Sequence, residues 1–224
     1  HQVEDIIGPY FGLQFSNLGL TDLARDLERH GQKELKNLSS IQAVRNIGKQ
    51  LEGLSRQLHH HFRRRHQTPG RFRLDPAKVG EGFPVTARHA IDALDQLRAR
   101  LSPAVEQQPV AELLLNRALE AAAGLKEIVA QRNGSLVYWY EINQHAVFLH
   151  GTPTLIGAIL EQEVFSKTPA AVFTSATLSV GNSFAFIRET LGVPPEAREK
   201  LLASPFSFED QALIYLPANF PEPQ

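Results

Sequence analysis

The 224-residue sequence contains no cysteine and no methionine, and it has a single tryptophan. The lack of cysteine excludes disulfides and any cysteine-held metal site within these residues, and it is compatible with a reducing compartment. No apolar run approaches the roughly 20 residues that a membrane-spanning helix needs, and the first residues lack the basic-then-apolar order of a signal peptide. We therefore expect a cytoplasmic protein. Because no residue is a methionine, we also expect the chain to be a piece of a longer protein.

Charge is unevenly distributed along the chain, although the net charge is only −1. Lys and Arg outnumber Asp and Glu by 16 to 11 in the first hundred residues, whereas acidic residues lead by 13 to 7 in the remainder. The composition, with 42% hydrophobic and 21% charged residues, is ordinary for a folded protein of one or two domains. The first hundred residues are therefore the candidate binding surface for a polyanion.

Apolar residues recur at helical spacing in the first part of the chain. Ser16 or Asn17 can cap a first helix, whose leucine stripe reaches Leu35. A second helix is predicted from Ile41 to about His66. Its apolar positions are Val44, Ile47, Leu51, Leu54, Leu58 and Phe62. Each helix should bury its apolar face against a neighbour.

The second helix also carries a basic stripe opposite its apolar one. At about 100° per residue, the four members of this stripe fall within about 40° of one another. They are Arg45, Lys49, Arg56 and Arg63. The residues that extend the stripe along the chain are Arg64, Arg65, Arg71 and Arg73. Phe72 lies among them, and since cations suit DNA phosphates and an aromatic ring can stack a base, we predict DNA contacts here. The alternative is the solvated face of an amphipathic helix.

The next stretch is rich in proline and glycine, and a short strand is predicted at Arg71–Leu74. Two further amphipathic helices follow it. One is capped by Thr86 and ended by Ser102-Pro103, and the other runs from Pro109 to a left-handed cap at Asn133-Gly134. The middle of the chain is therefore predicted to be a helical bundle.

The apolar period then changes from helical to alternating. Residues 136–142 and 145–149 are aromatic and β-branched around Asn143-Gln144, which is typical of a β-hairpin. The elements predicted after this hairpin are helices over residues 152–165, 183–191 and 195–202 and strands over residues 170–173 and 212–216. Strands that alternate with helices indicate an α/β fold.

Histidines and aromatic residues form two further clusters. Successive histidines on a helix point in different directions, so the run from His59 to His61 with His66 does not predict a metal site. The aromatic residues Tyr138–Tyr140 could form a platform for stacked bases, but their place in an alternating strand favours packing.

The segment Val172–Leu178 is an apolar run that breaks abruptly into small hydroxylated residues, with the sequence Val-Phe-Thr-Ser-Ala-Thr-Leu. A buried strand that ends in this way delivers hydroxyl groups to the edge of a sheet, where α/β nucleotide enzymes keep moving parts. Alternatively, the hydroxyl groups simply satisfy backbone groups in a turn.

Other segments add to the significance of this one. The sequence opens with His1-Gln2-Val3-Glu4-Asp5. The segment Val172–Leu178 is preceded by Tyr138-Trp139-Tyr140-Glu141 and followed by Ser204-Pro205-Phe206. Together they resemble the DinG/YoaA-type DNA helicases, which are bacterial relatives of the XPD helicase. The resemblance implies that His1 is the last residue of the Asp-Glu-Ala-His box and that Val172–Leu178 is helicase motif III.

The resemblance also implies an architecture. The fold would be mixed α/β, with a mainly helical arch-type insertion joined to part of a RecA-like motor domain. Residues 1–15 would end the Walker B segment, and residues 16–135 would form the arch domain. Residues 136–224 would be the C-terminal part of the first motor domain, with motif III and the start of a linker.

By the same resemblance, His1 would connect the γ-phosphate site to Thr174, Ser175 and Thr177. These hydroxyl groups would change partners between nucleotide states and so couple phosphate loss to the DNA path. Taken alone, a histidine at the N-terminus would indicate only a disordered end.

The parent protein would be an ATP-dependent DNA helicase that moves 5′ to 3′ on single-stranded or forked DNA in repair or replication stress. It would bind ATP and Mg²⁺, and it could carry an iron-sulfur cluster outside these residues, with no cofactor within them. Because the phosphate-binding loop is absent here, the chain alone should not hydrolyse ATP. The alternatives are a helical protein-interaction module without catalytic activity, and a nuclease or other ATPase on the same motor fold. A protein partner could bind the helical domain both in a helicase and in an interaction module.

Overall fold

The computed structural model describes residues 11–35, 38–66 and 68–215. Two compact units divide the chain, the first spanning residues 1–156 and the second residues 157–224. Both helices and strands are present, which confirms the predicted mixed α/β class. None of the described helices is long and apolar enough to cross a membrane.

The first unit opens with strand β1 (Leu13–Ser16), which leads directly into helix α1 (Asn17–Gly31). Ser16 is the N-cap, because its side chain accepts a 3.1 Å hydrogen bond from the N–H of Gly19. Helix α2 (Ile41–Arg63) packs against α1. The apolar residues that α2 buries are Val44, Ile47, Leu51, Leu54, Leu58 and Phe62. The predicted apolar face of this helix is therefore confirmed.

Helix α4 (Gly82–Leu101) follows a short helix, α3 (Pro76–Val79), and begins before the predicted start at Thr86. Thr86 is buried inside the helix, and its Oγ1 lies 2.9 Å from a ring nitrogen of His61 on α2. The predicted start is wrong because this hydroxyl group binds a neighbouring helix instead of capping its own.

Helix α5 (Pro109–Ala130) ends before the predicted cap at Asn133-Gly134. Gln131 adopts the left-handed conformation with φ 48°, and its side-chain amide donates a 3.0 Å hydrogen bond to the carbonyl of Leu74. The Glu127 carboxylate accepts a 3.0 Å bond from the N–H of Asn133. These side-chain contacts hold the helix end in place without a glycine, which is why the predicted cap is wrong.

A four-stranded antiparallel sheet covers the helices, with the strand order β1-β4-β3-β2. Strand β2 (Gly70–Arg73) forms one edge, and β3 (Leu136–Ile142) and β4 (Val147–Pro153) form the predicted hairpin. Because β4 extends to Pro153, the next helix begins at Ile156 and not at Thr152-Pro153. The sheet residues that enter the helical core are Phe15, Tyr138, Tyr140, Ile142, Val147 and Leu149.

The residues that alternate with these core residues are partly buried or exposed, and they define the outer face of the sheet. On β3 and β4 they are Val137, Trp139, Glu141, Phe148, His150 and Thr152. The same alternation on the edge strand places Phe72 toward the core side and Arg71 and Arg73 on the outer face.

Helix α6 (Ile156–Glu163) opens the second unit, which also contains α7 (Ala185–Leu191) and α8 (Phe208–Gln211). Helix α7 ends at Gly192, whose φ of 62° lies in the left-handed region. A Cβ atom added at Gly157 would lie 2.6 Å from the backbone nitrogen of Gly192. Only glycine lets the backbones of these two segments approach so closely.

Two strands predicted for the second unit are not formed by its described residues. Residues 170–173 and 212–215 have no strand conformation, and the side chains of Val172 and Leu213 are 84% and 95% exposed. A strand needs a hydrogen-bonded neighbour, and the part of this unit that the structure describes supplies no strand beside either segment. Residue 216, the last of the second predicted strand, lies outside the described residues.

The helix predicted over residues 195–202 is also absent from the structure. Arg188 on α7 donates a 2.9 Å hydrogen bond to the carbonyl of Pro194 and a second bond to the carbonyl of Pro195. It also pairs with Glu199 at 2.9 Å. The carbonyl groups at the start of the predicted helix thus accept hydrogen bonds from Arg188. These bonds compete with the backbone hydrogen bonds that the same carbonyls would accept in a helix.

Candidate nucleic-acid interface

The basic stripe of α2 is present, but its members have different surroundings. Arg45 is half-buried, and its Nη2 donates a 3.0 Å hydrogen bond to the carbonyl of Gly31 at the end of α1. Its Nε is buried without a partner among the described residues. Arg45 therefore joins two helices, because its guanidinium satisfies one of the free carbonyls at a helix C-terminus.

Farther along the stripe, Lys49 is exposed and Arg56 forms an exposed ion pair with Glu52 at 3.1 Å. Arg63 donates a 2.8 Å hydrogen bond to the carbonyl of His66. At a rise of about 1.5 Å per residue, Arg45 and Arg63 lie about 27 Å apart along the helix. The stripe is therefore not one continuous cationic face, and its two ends belong to separate regions.

The remaining predicted DNA contacts come together where α2 ends beside the edge strand β2. Arg64 and Arg65 are exposed, and Nη1 of Arg65 donates a hydrogen bond to the carbonyl of Lys78. Arg71 and Arg73 are exposed on β2. This group of cations, which we call the basic cluster, gives the surface a local positive charge that suits a polyanion.

Phe72 lies within the basic cluster but points inward. Its ring stacks on the ring of His66, with centroids 3.5 Å apart and an angle of 18° between the planes. The same imidazole lies 2.6 Å from the hydroxyl oxygen of Tyr140. Phe72 thus already has a stacking partner, and it could stack a base on that face only if His66 moved.

The aromatic run of β3 is divided between the two faces of the sheet. Tyr138 and Tyr140 are buried in the core, which confirms the packing interpretation for these two residues. Trp139 lies on the outer face, where its ring stacks on the ring of His150, with centroids 4.0 Å apart and an angle of 12° between the planes. The guanidinium of Arg71 lies over the Trp139 ring, 5.4 Å from its centroid. The indole Nε1 donates a 2.8 Å bond to Thr152.

Arg71 belongs to the basic cluster and also lies over the Trp139 ring of this stack. Its Nε donates a 2.9 Å bond to a carboxylate oxygen of Glu141. His150 was not among the predicted site residues. Its position beside Trp139 follows from the cross-strand register, in which Trp139 pairs with His150 and with Arg73. The alternation of β4 could have indicated its face, but the sequence does not give the register.

Burial lowers the pKa of three histidines in this unit, because desolvation disfavours the charged form. For His61 and His66, nearby cations lower the pKa further. For His150, the negative charge of Glu141 opposes the effect of burial. The neutral form of each imidazole is therefore favoured in the folded protein.

The histidines His59 and His61 on α2 and His66 just after it bind separate partners. A ring nitrogen of His59 lies 3.3 Å from the carbonyl oxygen of Asn143, whereas His61 and His66 contact Thr86 and Tyr140. In the part of the chain that the structure describes, no three His, Asp or Glu side chains are placed to hold a metal ion.

The predicted coupling residues of the second unit are exposed. The Oγ atoms of Ser175 and Thr177 lie 3.1 Å apart, and Ser175 also accepts a 3.2 Å bond from the N–H of Thr177. Thr174 and Ser175 line an open hollow of about 890 Å³. His1 lies outside the described residues, so its relation to these hydroxyl groups remains a prediction.

Comparison with known proteins relates the chain to helicases. It is 27% identical to the ATP-dependent DNA helicase YoaA of Haemophilus influenzae and 28% identical to that of Escherichia coli, each match covering 99% of this chain and 34% of the relative. It is 33% identical to the 3′-5′ exonuclease DinG of Bacillus subtilis, over 35% of this chain and 9% of the relative. No protein-family model matches the sequence.

The chain thus spans about a third of the length of its YoaA relatives. The resemblance drawn from the sequence motifs is confirmed. Over nearly its whole length this chain is similar to ATP-dependent DNA helicases named YoaA, and over shorter stretches it is similar to proteins named DinG.

Proposed function

We propose that this chain is part of an ATP-dependent DNA helicase that moves 5′ to 3′ on single-stranded or forked DNA during repair or replication stress. The observation that supports this most is the similarity to two YoaA helicases over 99% of the chain. In this proposal, residues 1–15 end the Walker B segment, residues 16–135 form the arch domain, and residues 136–224 belong to the first RecA-like motor domain. The parent protein acts on DNA in the cytoplasm.

Within that parent, ATP and Mg²⁺ bind between motor domains, and an iron-sulfur cluster, if present, lies outside these residues. His1 is the end of the DEAH box, and Thr174, Ser175 and Thr177 form the coupling segment. The exposure of these hydroxyl groups supports the assignment, because their side chains can exchange partners without unpacking a core. The chain alone should show no DNA-stimulated ATP hydrolysis, and hydrolysis by the purified chain would contradict the proposal.

We assign the strand contact to the first unit. The basic cluster at the end of α2 and on β2 supports it, since Arg64, Arg65, Arg71 and Arg73 are all exposed there. Neutralising phosphates releases counterions, so DNA affinity should fall steeply with salt. Fluorescence anisotropy with a labelled single strand, repeated between about 50 and 200 mM salt, measures this dependence.

The variant that tests the contact is Arg63→Glu with Arg64→Glu, which should weaken DNA binding several-fold and flatten its salt dependence. The matched control is Arg98→Glu with Arg100→Glu, two exposed arginines near the end of α4. Both double variants change the net charge equally. Because Arg63→Glu also removes the bond to the carbonyl of His66, circular dichroism should first show that both variants fold like the unmodified chain. Equal losses in the two double variants would contradict the assignment.

The second candidate is a helical protein-interaction module without catalytic activity. It is favoured by the intramolecular contacts of the α2 stripe, because Arg45 binds Gly31 and Arg56 pairs with Glu52. Such contacts leave less of the stripe for DNA. If the chain binds no single strand even at low salt, this candidate replaces the DNA contact for the first unit.

A further inference from the structure

The register of the sheet places four side chains in one row across its outer face. The row consists of Gln14 on β1, His150 on β4, Trp139 on β3 and Arg73 on β2. The Cβ atoms of directly opposite residues lie about 4.5–5.5 Å apart in an antiparallel sheet, so neighbours in the row are within reach of one another. Trp139 and His150 lie on the two central strands, and the opposite face of the sheet packs on the helices.

The indole of Trp139 is held in a fixed orientation within this row. Its ring is parallel to the ring of His150 within 12°, and the two centroids are 4.0 Å apart. The 2.8 Å bond from its Nε1 to Oγ1 of Thr152 fixes the direction in which the indole points. One face of the indole is therefore filled by His150, and a ligand can approach only the opposite face.

The opposite face of the indole is covered only loosely. Since His150 fills one face, the guanidinium of Arg71 lies over the other, with its carbon 5.4 Å from the ring centroid. Carbon atoms in contact are about 3.5–4.0 Å apart, so this guanidinium is not packed on the indole. The Arg71 side chain is 74% exposed and pairs with the partly exposed carboxylate of Glu141. Exposed ion pairs and exposed cation–π contacts are weak, so a ligand can displace Arg71 from this face at small cost.

Positive charge lies beside this loosely covered face. Arg73 is the cross-strand neighbour of Trp139 on β2, and Arg71 is two residues away on the same strand. Both arginines are exposed. Glu141 is the single acid among the outer-face residues of β2, β3 and β4. Two arginines and one carboxylate give this part of the face a net positive charge, which favours an anionic ligand.

An aromatic face beside arginines suits a single-stranded nucleic acid. Every base has a π-face that can stack on an indole, and arginines match the phosphates on either side of the base. Four-stranded sheets can bind single strands in this way, through aromatic side chains on the face that helices leave open. A protein partner would need a larger apolar patch, whereas on β2, β3 and β4 the single exposed large apolar residue is Val137.

We propose that one base of single-stranded DNA stacks on the face of Trp139 opposite His150, where it displaces the guanidinium of Arg71. The displaced Arg71 and its neighbour Arg73 then contact the phosphates beside that base. This inference rests on the proposed function, because it takes the DNA strand as the ligand. It deepens that function by naming the side chain that holds a base and by placing the strand on the outer face of the sheet.

The chain has a single tryptophan, so its fluorescence reports this one place without any substitution. A stacked base quenches indole fluorescence, and titration of the complete 224-residue chain with oligothymidylate should therefore quench the emission until it saturates. The midpoint should equal that of the anisotropy change of the labelled strand, because both report one complex. Binding by anisotropy without any change in tryptophan emission would overturn the inference.

An abasic strand of equal length separates the base from the phosphates, because it has the same phosphates and nothing to stack. The unmodified chain should bind oligothymidylate at least about five-fold more tightly than the abasic strand, which is the lower end expected for one stacked base. Trp139→Leu should remove this preference. Trp139→Phe should keep most of it, since phenylalanine restores an aromatic face at the same position.

Arg71→Gln tests the role of the displaced guanidinium. It should lower the affinity for both strands alike and reduce the salt slope by about 0.7, the value for one phosphate contact on a single strand. The preference for bases should remain, because Trp139 is unchanged. The matched control is Arg100→Gln, an exposed arginine at the end of α4 that should bind like the unmodified chain. If Arg71→Gln removes the preference for bases and leaves the salt slope unchanged, Arg71 holds the base and the inference is overturned.

Failure of the inference and failure of the proposed function give different results. If the unmodified chain binds neither strand at low salt, the proposed DNA contact fails and this inference fails with it. If the chain binds both strands equally tightly, the DNA contact stands and the base stack is wrong. If Trp139→Leu keeps the preference for bases, another side chain holds the base and the assignment to Trp139 is overturned.

Discussion

The side-chain oxygen of Asn17 accepts a 2.8 Å hydrogen bond from the backbone N–H of Val147, which is 130 residues farther along the chain. Asn17 is the first residue of α1, and Val147 is the first residue of β4. The amide of Asn17 also donates a 3.3 Å bond to Ser55 on α2, whose hydroxyl donates a 2.7 Å bond back to the Asn17 carbonyl. One buried side chain thus joins two helices and the sheet.

Asn17→Ala should destabilise the first unit by about 1–3 kcal/mol, because it leaves the buried N–H of Val147 without a partner. Urea unfolding followed by circular dichroism measures the free energy of unfolding. Asn46→Ala is the matched control, since Asn46 is exposed on α2 and, among the described residues, its side chain bonds only the exposed Gln42. Its effect should stay within about 0.5 kcal/mol. A loss no larger for Asn17→Ala than for Asn46→Ala would contradict the role of the buried network.

Acidification should destabilise the first unit through His61, His66 and His150. The pKa of each is lowered from 6.5 in the folded protein, so the neutral form is the one that folding favours. Their contribution to stability is complete above the unfolded pKa of about 6.5 and is lost as the pH falls through the lower folded pKa. Urea unfolding at about pH 7.5 and about pH 5.5 should therefore give a smaller free energy of unfolding at the lower pH.

His150→Phe isolates one of these groups, because phenylalanine keeps an aromatic ring beside Trp139 but cannot take up a proton. The difference in unfolding free energy between the two pH values should shrink in this variant. An undiminished difference would show that His150 does not contribute to the acid sensitivity.

The sequence predicts well those parts of the fold whose residue periodicity is set within a single helix or hairpin. The apolar face of α2 and the β3-β4 hairpin follow from residue periodicity, and both are confirmed. The predicted helix start at Thr86 and the predicted helix cap at Asn133-Gly134 are wrong because the side chains of Thr86 and Gln131 bind the distant residues His61 and Leu74. Local propensity does not contain such tertiary contacts.

In the candidate site, too, the sequence predicts local features but not the contacts between separate elements. The run of arginines at the end of α2 is visible in the sequence, but the engagement of Arg45 by Gly31 depends on how two helices pack. The stack of Trp139 on His150 depends on strand register. The predicted strand at residues 170–173 has no neighbouring strand among the described residues, and its apolar pattern cannot reveal that.

Tyr138 should make the first unit sensitive to alkaline pH. Burial and its hydrogen bond to Glu127 raise the pKa of Tyr138 from 10.0 to about 12. The stability that it contributes is complete below pH 10 and is lost as the pH rises through about 12. Tyr138→Phe should therefore lower the free energy of unfolding at neutral pH, by about 0.5–1.5 kcal/mol for the lost hydrogen bond, and reduce its decline above pH 10. Urea unfolding across that range measures both effects, and an unchanged alkaline decline would contradict the assignment.

Gly157→Ala should destabilise the second unit, because the new Cβ would lie 2.6 Å from the backbone nitrogen of Gly192. Backbone atoms cannot move aside as a flexible side chain can, so we expect a loss of about 1–3 kcal/mol. The matched control is Gly53→Ala on α2, where, among the described residues, nothing outside the neighbouring residues and the helix's own backbone lies within 4 Å of the added Cβ. There the substitution should stabilise the chain by about 0.5–1 kcal/mol, since alanine favours a helix interior over glycine. Urea unfolding of both variants should give changes of opposite sign, and a stabilising Gly157→Ala would show that α6 and the end of α7 do not pack this closely.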